Sequence, residues 1–225
     1  MLDWLKRDHP LPPKSIVLTF DDAYASIYTT AWPLMAAHGF TGTLFIITGA
    51  IGRTNHWQGQ PSTIPERPLM SWAQVQELAA AGWEMGAHTV THPALPLLPV
   101  AEMEREILDS QTAVRKQLTI NNQQSTINSQ QPTINSQQST TLFAQPYGAT
   151  SPAVDDVVHR HFDGAVSVKL GLVSRKSDPY ALPRVDAYYL HPRLIPHLGR
   201  PSFRRYLQLR QLLRHARRLV KRDYT

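Results

Sequence analysis

No cysteine occurs among the 225 residues, so no disulfide framework and no thiolate metal site can form. Any bound metal must therefore take histidine, carboxylate or water as ligands. Long apolar runs are also missing. The most hydrophobic stretches extend over about five to seven residues, far short of the roughly 20 that span a bilayer, which predicts a chain without a transmembrane segment. Residues 1–10 have no apolar stretch behind a basic start and no small-residue cleavage site, so no signal peptide is expected and the cellular location is left unknown. Acidic residues are scarce in one place: residues 200–225 hold nine of the 23 Lys and Arg but one of the 17 Asp and Glu. The net charge of +6 is thus a property of the tail, and this distribution argues against nucleic acid as the partner. Within that tail Phe203, Tyr206, Leu209, Leu213, Ala216 and Val220 recur at helical spacing, predicting a basic amphipathic helix over 200–225.

What remains is one α/β domain over 11–199, within the size that a single core supports. Short apolar runs alternate with helical patterns, the signature of parallel β/α units. Strands are predicted at Ser15–Phe20, Gly42–Ile47, Trp83–Ala87 and Thr141–Ala144, with further ones near 164–168 and 182–185. Helices are predicted over 26–38, which takes in Pro33, over 71–81 with Ser71 as N-cap and Gly82 as stop, and over 100–118. Residues 119–139 form three tandem heptads, each with one apolar position, Ile120, Ile127 or Ile134. One apolar residue per repeat builds neither a seam nor a stacked core, and Pro132 interrupts any helix. The segment is expected to be a low-complexity loop insertion without a catalytic role.

Two polar pairs fall where strands end, the position at which α/β folds place their chemistry. Asp21 and Asp22 follow the first strand as adjacent carboxylates, which repel unless a positive charge lies beside them. A divalent metal supplies that charge, although helix capping or a solvated turn explains such a pair equally well. His88 and His92 lie four apart, and one tight turn brings both imidazoles to one face. Two imidazoles, a carboxylate and an open water position make a catalytic zinc arrangement, yet an isolated His-x-x-x-His is often incidental.

Taken together the pairs point further. Thr19-Phe20-Asp21-Asp22-Ala23-Tyr24, His88-Thr89-Val90-Thr91-His92 and Phe143-Ala144-Gln145-Pro146-Tyr147-Gly148 occur in that order. They resemble the first three motifs of the polysaccharide deacetylases with a NodB homology domain, carbohydrate esterase family 4. The resemblance covers about Leu11 to Asp186 and is nearest to the exopolysaccharide (poly-N-acetylglucosamine) deacetylase branch. It implies a distorted (β/α) barrel and hydrolysis of N-acetyl groups on a glucosamine-containing polysaccharide. Asp22, His88 and His92 would hold a divalent metal, zinc first, with cobalt, nickel or manganese as alternatives. Asp21 would be the general base toward water, and the backbone N–H of Tyr147 an oxyanion donor. Pro146, Arg184 and Trp57 are the candidates for contact with substrate, Trp57 as a sugar-stacking face.

Departures from the family pattern carry equal information. Ala144 stands where many members place an arginine against the base, a loss shared with the exopolysaccharide branch. Ala23 replaces a glycine that commonly follows the aspartate pair. Arg184 could orient Asp21, though it also reads as an ordinary surface ion pair. No late Leu-x-x-x-His motif is evident, and the branch's acid histidine lies upstream of where this chain begins, which reads as an N-terminal truncation. His191 is the one candidate for general acid. Two rival functions follow: an O-acetyl (xylan) esterase with the same apparatus, or a degenerate polysaccharide-binding member. Oligomeric state is left open.

Overall fold

A computed structural model of the protein describes residues 1–125, 142–190, 197–198 and 200–222, the side chains at 120–125 and 215–222 excepted. Six strands line up in chain order: β1 Thr19–Phe20, β2 Thr43–Ile46, β3 Glu84–Ala87, β4 Leu142–Ala144, β5 Gly164–Leu170 and β6 Leu182–Arg184. Every neighbouring pair is parallel. The sheet curls into a half-barrel, in keeping with the distorted (β/α) barrel that the sequence predicts. Helices α1 (Leu2–Arg7), α2 (Trp32–Ala36), α3 (Trp72–Ala80), α4 (Val100–Ser125), α5 (Pro152–His161) and α6 (Pro201–Arg222) complete the described chain. Among the described residues no helix is long and apolar enough to cross a membrane.

Strand alternation divides the core. Leu44 and Ile46 of β2 face outward and pack with Val75, Leu78 and Trp83, whereas Phe45 between them points inward beside Ala144, Val166 and Leu182. Glycine at position 86 is what admits that ring: a Cβ there would lie 2.5 Å from Phe45. Below, α1 packs Leu2 and Leu5 against the same inner cluster, so residues that precede the expected domain boundary also contribute to its core. Burial of about ten large outward side chains of this kind, at roughly 1.5–3 kcal/mol each, dominates the drive to fold.

Helix α3 forms as its sequence dictates. Ser71 accepts from the Gln74 N–H (3.3 Å) and Gln74 returns a bond to the Ser71 N–H (2.9 Å), a reciprocal capping box. Gly82, with φ of +88°, ends the turn.

Four expectations need correction. Strand one was expected over Ser15–Phe20, yet only Thr19 and Phe20 pair, and Ile16, Val17 and Leu18 stay 65%, 47% and 38% exposed. Among the described residues no strand flanks β1 on its far side, so this apolar run lacks a surface to bury against. The helix over 26–38 opens as a π-helical turn at Ile27–Ala31 before α2. Pro33 has no N–H to donate and its ring crowds the preceding turn, so the backbone widens there. The helix over 100–118 runs on to Ser125, through the first heptad, because nothing in 119–125 breaks it; the remaining heptads lie outside the described residues. On α6, Phe203 and Leu207 are the buried contacts, with Leu209 and Leu213 56% and 45% exposed. Each step of three residues falls about 60° behind a full turn, so the Phe203, Tyr206, Leu209 series rotates off the docked face.

Candidate metal centre

The C-terminal strand ends assemble one cluster. Asp22 follows β1, His88 follows β3, and His92 closes the loop after β3. Their ligand-capable atoms all lie within 4.8 Å of one another. Asp22 Oδ1 is 3.4 Å from His88 Nε2 and 3.7 Å from His92 Nε2. Two ligand atoms at zinc-bond distance on adjacent corners of a tetrahedron stand about 3.4 Å apart, near both Asp22–histidine separations, so the donor set fits a divalent ion. His88 Nδ1 lies 2.7 Å from the Ala144 carbonyl oxygen and donates to it, which fixes the ring with Nε2 toward Asp22. Both rings are buried, at 3% and 5% exposure.

The two rings are shifted in opposite directions. Burial alone would lower His88, but the Asp22 hydrogen bond and the charges of both aspartates outweigh it and hold the ring above its ordinary value. Positive charge at that position is therefore already favoured. For His92, burial and the neighbouring His88 push the pKa down to about 4, so the ring is neutral and available as a ligand near pH 7.

Backbone strain concentrates here. Asp22, Ala23, Thr89, His92 and Tyr147 all have φ between 59° and 69°, in the left-handed region that non-glycine residues avoid. Each costs roughly 1–2 kcal/mol, which the surrounding contacts must offset. At Ala23 the glycine that the resemblance leads one to expect would meet that requirement without steric strain.

Asp21 points away from Asp22 and meets Arg184. The guanidinium donates from Nη1 and Nη2 to the two carboxylate oxygens, at 2.7 and 2.8 Å. It also donates from Nη1 to Thr19 Oγ1 (3.2 Å) and from Nε to the Ser167 carbonyl (3.0 Å). Arg184 thus belongs to no ordinary surface pair. It is half-buried above Phe45 and reaches from β6 to β1 across the unclosed side of the half-barrel. The consequence for Asp21 is plain: burial would raise its pKa, yet the Arg184 hydrogen bonds and the nearby histidines win and hold it below the ordinary carboxylate value. Arg184 thus makes from β6 the contact to Asp21 that the resemblance would lead one to expect from an arginine at position 144.

The walls are aromatic. His92 lies between Trp57 and Tyr147, with ring centroids 4.7 and 4.6 Å away. Pro146 is buried beneath Tyr147, whose side chain is 49% exposed. Trp57 reaches the site from the loop between β2 and α3. Asn55 pins that loop, accepting from the Arg67 N–H (2.6 Å) and donating to the Pro65 carbonyl (3.2 Å) and Tyr24 hydroxyl (3.3 Å). Sequence reasoning missed Asn55 and also Glu106, which accepts from the amides of Val90 and Thr91. Neither sits in a motif. His191, the candidate acid, lies outside the described residues.

Comparisons with known proteins identify the family and support the fold. A family profile described as polysaccharide deacetylase matches residues 8–161. The chain belongs to the polysaccharide deacetylase family. YxkH of Bacillus subtilis, a polysaccharide deacetylase by name, is 26% identical over 205 residues, 91% of this chain and 60% of that protein. The poly-β-1,6-N-acetyl-D-glucosamine N-deacetylase of Staphylococcus aureus is 29% identical over 87 residues, 38% of this chain and 27% of its own length. This deacetylase-family chain thus spans 60% of one of these curated relatives and 27% of the other. Among solved structures, IcaB from Ammonifex degensii superposes with a TM-score of 0.64 at 22% identity, covering 88% of this chain and 76% of that one, which supports the fold.

Proposed function

We propose that this chain removes N-acetyl groups from a polysaccharide containing N-acetylglucosamine, using a divalent metal held by Asp22, His88 and His92. The observation that carries the proposal is the convergence of those three ligands beside a separate carboxylate, Asp21, that is tied to Arg184 and so kept free of the metal. Two imidazoles and one carboxylate suit zinc first, and cobalt, nickel or manganese less well. When bound, the ion supplies Lewis acidity toward the acetyl carbonyl.

The chain's own residues do the rest. Asp21, ionised near pH 7, accepts a proton from the attacking water as general base. The low pKa set by Arg184 guarantees the charged form and fixes the direction of its lone pairs, at some loss of basicity. The Tyr147 N–H, turned by its left-handed backbone, is assigned to the developing oxyanion. Trp57 offers an apolar face to a sugar ring. His191 is assigned to protonate the leaving amine. The staphylococcal relative, which acts by name on poly-β-1,6-N-acetylglucosamine, supports that polymer class as substrate.

Acetate release tests the proposal. Zinc-reconstituted protein is expected to release acetate from N-acetylglucosamine oligomers, and metal-stripped protein is not. An amine leaves poorly without a proton, whereas an alkoxide needs one less. Faster release from acetyl-xylan than from the oligomers would therefore favour the esterase reading and deny an effective acid. Zinc binding without release from either substrate would favour the degenerate, binding-only reading.

A further inference from the structure

We propose that Glu106, on α4 and remote from any reacting atom, is a positioning residue that sets the affinity of the metal centre by clamping the loop between His88 and His92. The proposal rests on the metal reading above but concerns a residue outside every motif. Glu106 Oε2 accepts from the Val90 N–H (2.8 Å) and the Thr91 N–H (2.9 Å), and Oε1 accepts from the Thr91 hydroxyl (2.7 Å). Three donors from two adjacent residues converge on one carboxylate. Successive amides that follow a left-handed residue form a concave donor pair suited to an anion. Thr89, at φ 67°, is that residue, and the anion is a side chain of the protein itself.

The clamp matters because the loop is strained at both ends. Thr89 and His92 both hold positive φ, and such conformations persist only where the surroundings over-determine them. On one side the turn after β2 contributes the Thr48 and Gly49 amides, which donate to the Thr89 and Val90 carbonyls at 3.1 and 2.9 Å. Within the loop, Thr89 Oγ1 accepts from the His92 N–H at 3.0 Å. On the other side Glu106 alone, among the described residues, takes the Val90 and Thr91 amides. Its own position is fixed, since Met103 and Ile107 on either side of it are buried. The rigidity of α4 is thereby passed to the His92 ring. No side chain of α4 has been assigned to the metal, so the effect travels through loop geometry.

The test is zinc affinity of the full chain by competition with a chromophoric chelator, paired with amide hydrogen exchange. Glu106→Gln keeps one acceptor but places an NH2 group against a donor. Supporting residues of ligand shells typically govern 10- to 100-fold in metal affinity, and a loss of about that size is expected. Faster exchange confined to Val90 and Thr91 should accompany it. Glu104→Gln, on the same helix but engaged with Arg160, should bind zinc as the unaltered chain does. If Glu106→Gln fails to fold, Thr91→Val removes only the hydroxyl bond and should show a smaller loss of affinity. Unchanged affinity in the folded variant overturns the positioning role, even where the exchange rates rise. An unaltered chain that binds no zinc overturns the metal reading instead; slow exchange at Val90 and Thr91 that Glu106→Gln abolishes would then still uphold the clamp, and equal exchange would end it.

Discussion

The metal half and the base half of this site are held in different ways. Asp22, His88 and His92 are gathered by several independent contacts: a strained turn after β1, a loop pinned by Thr48, Gly49 and Glu106, and a carbonyl at Ala144 that orients His88. Asp21 depends on one side chain, Arg184, separated from it by 163 positions and reaching over a side of the sheet that no strand pairing closes. Redundant contacts protect the first half. The second is exposed to loss of a single guanidinium, and substitutions should reveal that asymmetry.

The largest effect is expected for Asp22→Ala. Removing the one carboxylate ligand should abolish zinc binding and reduce acetate release to background, as read by metal analysis and an acetate assay. Asp21→Asn should instead keep its zinc and lose about 10²–10⁴-fold in kcat, the usual contribution of a general base. A joint loss of metal would merge the two halves and refute the division.

Arg184→Ala should cost about 10²-fold in kcat, in line with a small misplacement of a catalytic group. Lysine at this position restores charge but lacks the planar two-pronged geometry, so Arg184→Lys should fall between. The pH profile gives a second readout. With Arg184 present Asp21 is held below the ordinary carboxylate value, and the base is lost only as pH falls through that low pKa. Without the guanidinium, burial dominates and the pKa rises, so the acid limb of the kcat profile should move to higher pH. An unmoved limb would mean that Arg184 does not govern Asp21.

Ala23→Gly is the mildest change. Leaving the left-handed region unstrained returns about 1–2 kcal/mol, against about 0.5–1 kcal/mol for the added freedom of glycine in the unfolded chain. The net gain should raise Tm by roughly 2 °C with activity unchanged. A lower Tm would show that the Ala23 methyl, buried in the outer core, outweighs the strain.

These differences also explain what was readable from the chain alone. The candidate metal ligands were legible as motifs because each motif is compact: adjacent aspartates after one strand and histidines four apart after another. The parallel strand order was legible from alternating patterns, and Ser71 and Gly82 marked α3 correctly. Arg184 was open to two readings because nothing in its neighbourhood names a partner; only the curl of the sheet brings β6 to β1. Glu106 looked like one more charge on a charged helix. Ile16 to Leu18 were over-read as strand because apolar residues indicate a preference for burial and not the presence of a neighbouring strand to satisfy it.

The central claim is that the base is held separately from the metal, through Arg184. Zinc stoichiometry and acetate release from N-acetylglucosamine oligomers, measured on one sample of the Arg184→Ala protein, test it most directly. The account predicts full zinc occupancy together with a roughly 10²-fold loss of release. Zinc lost in step with activity, or activity equal to that of the unaltered chain, would contradict it.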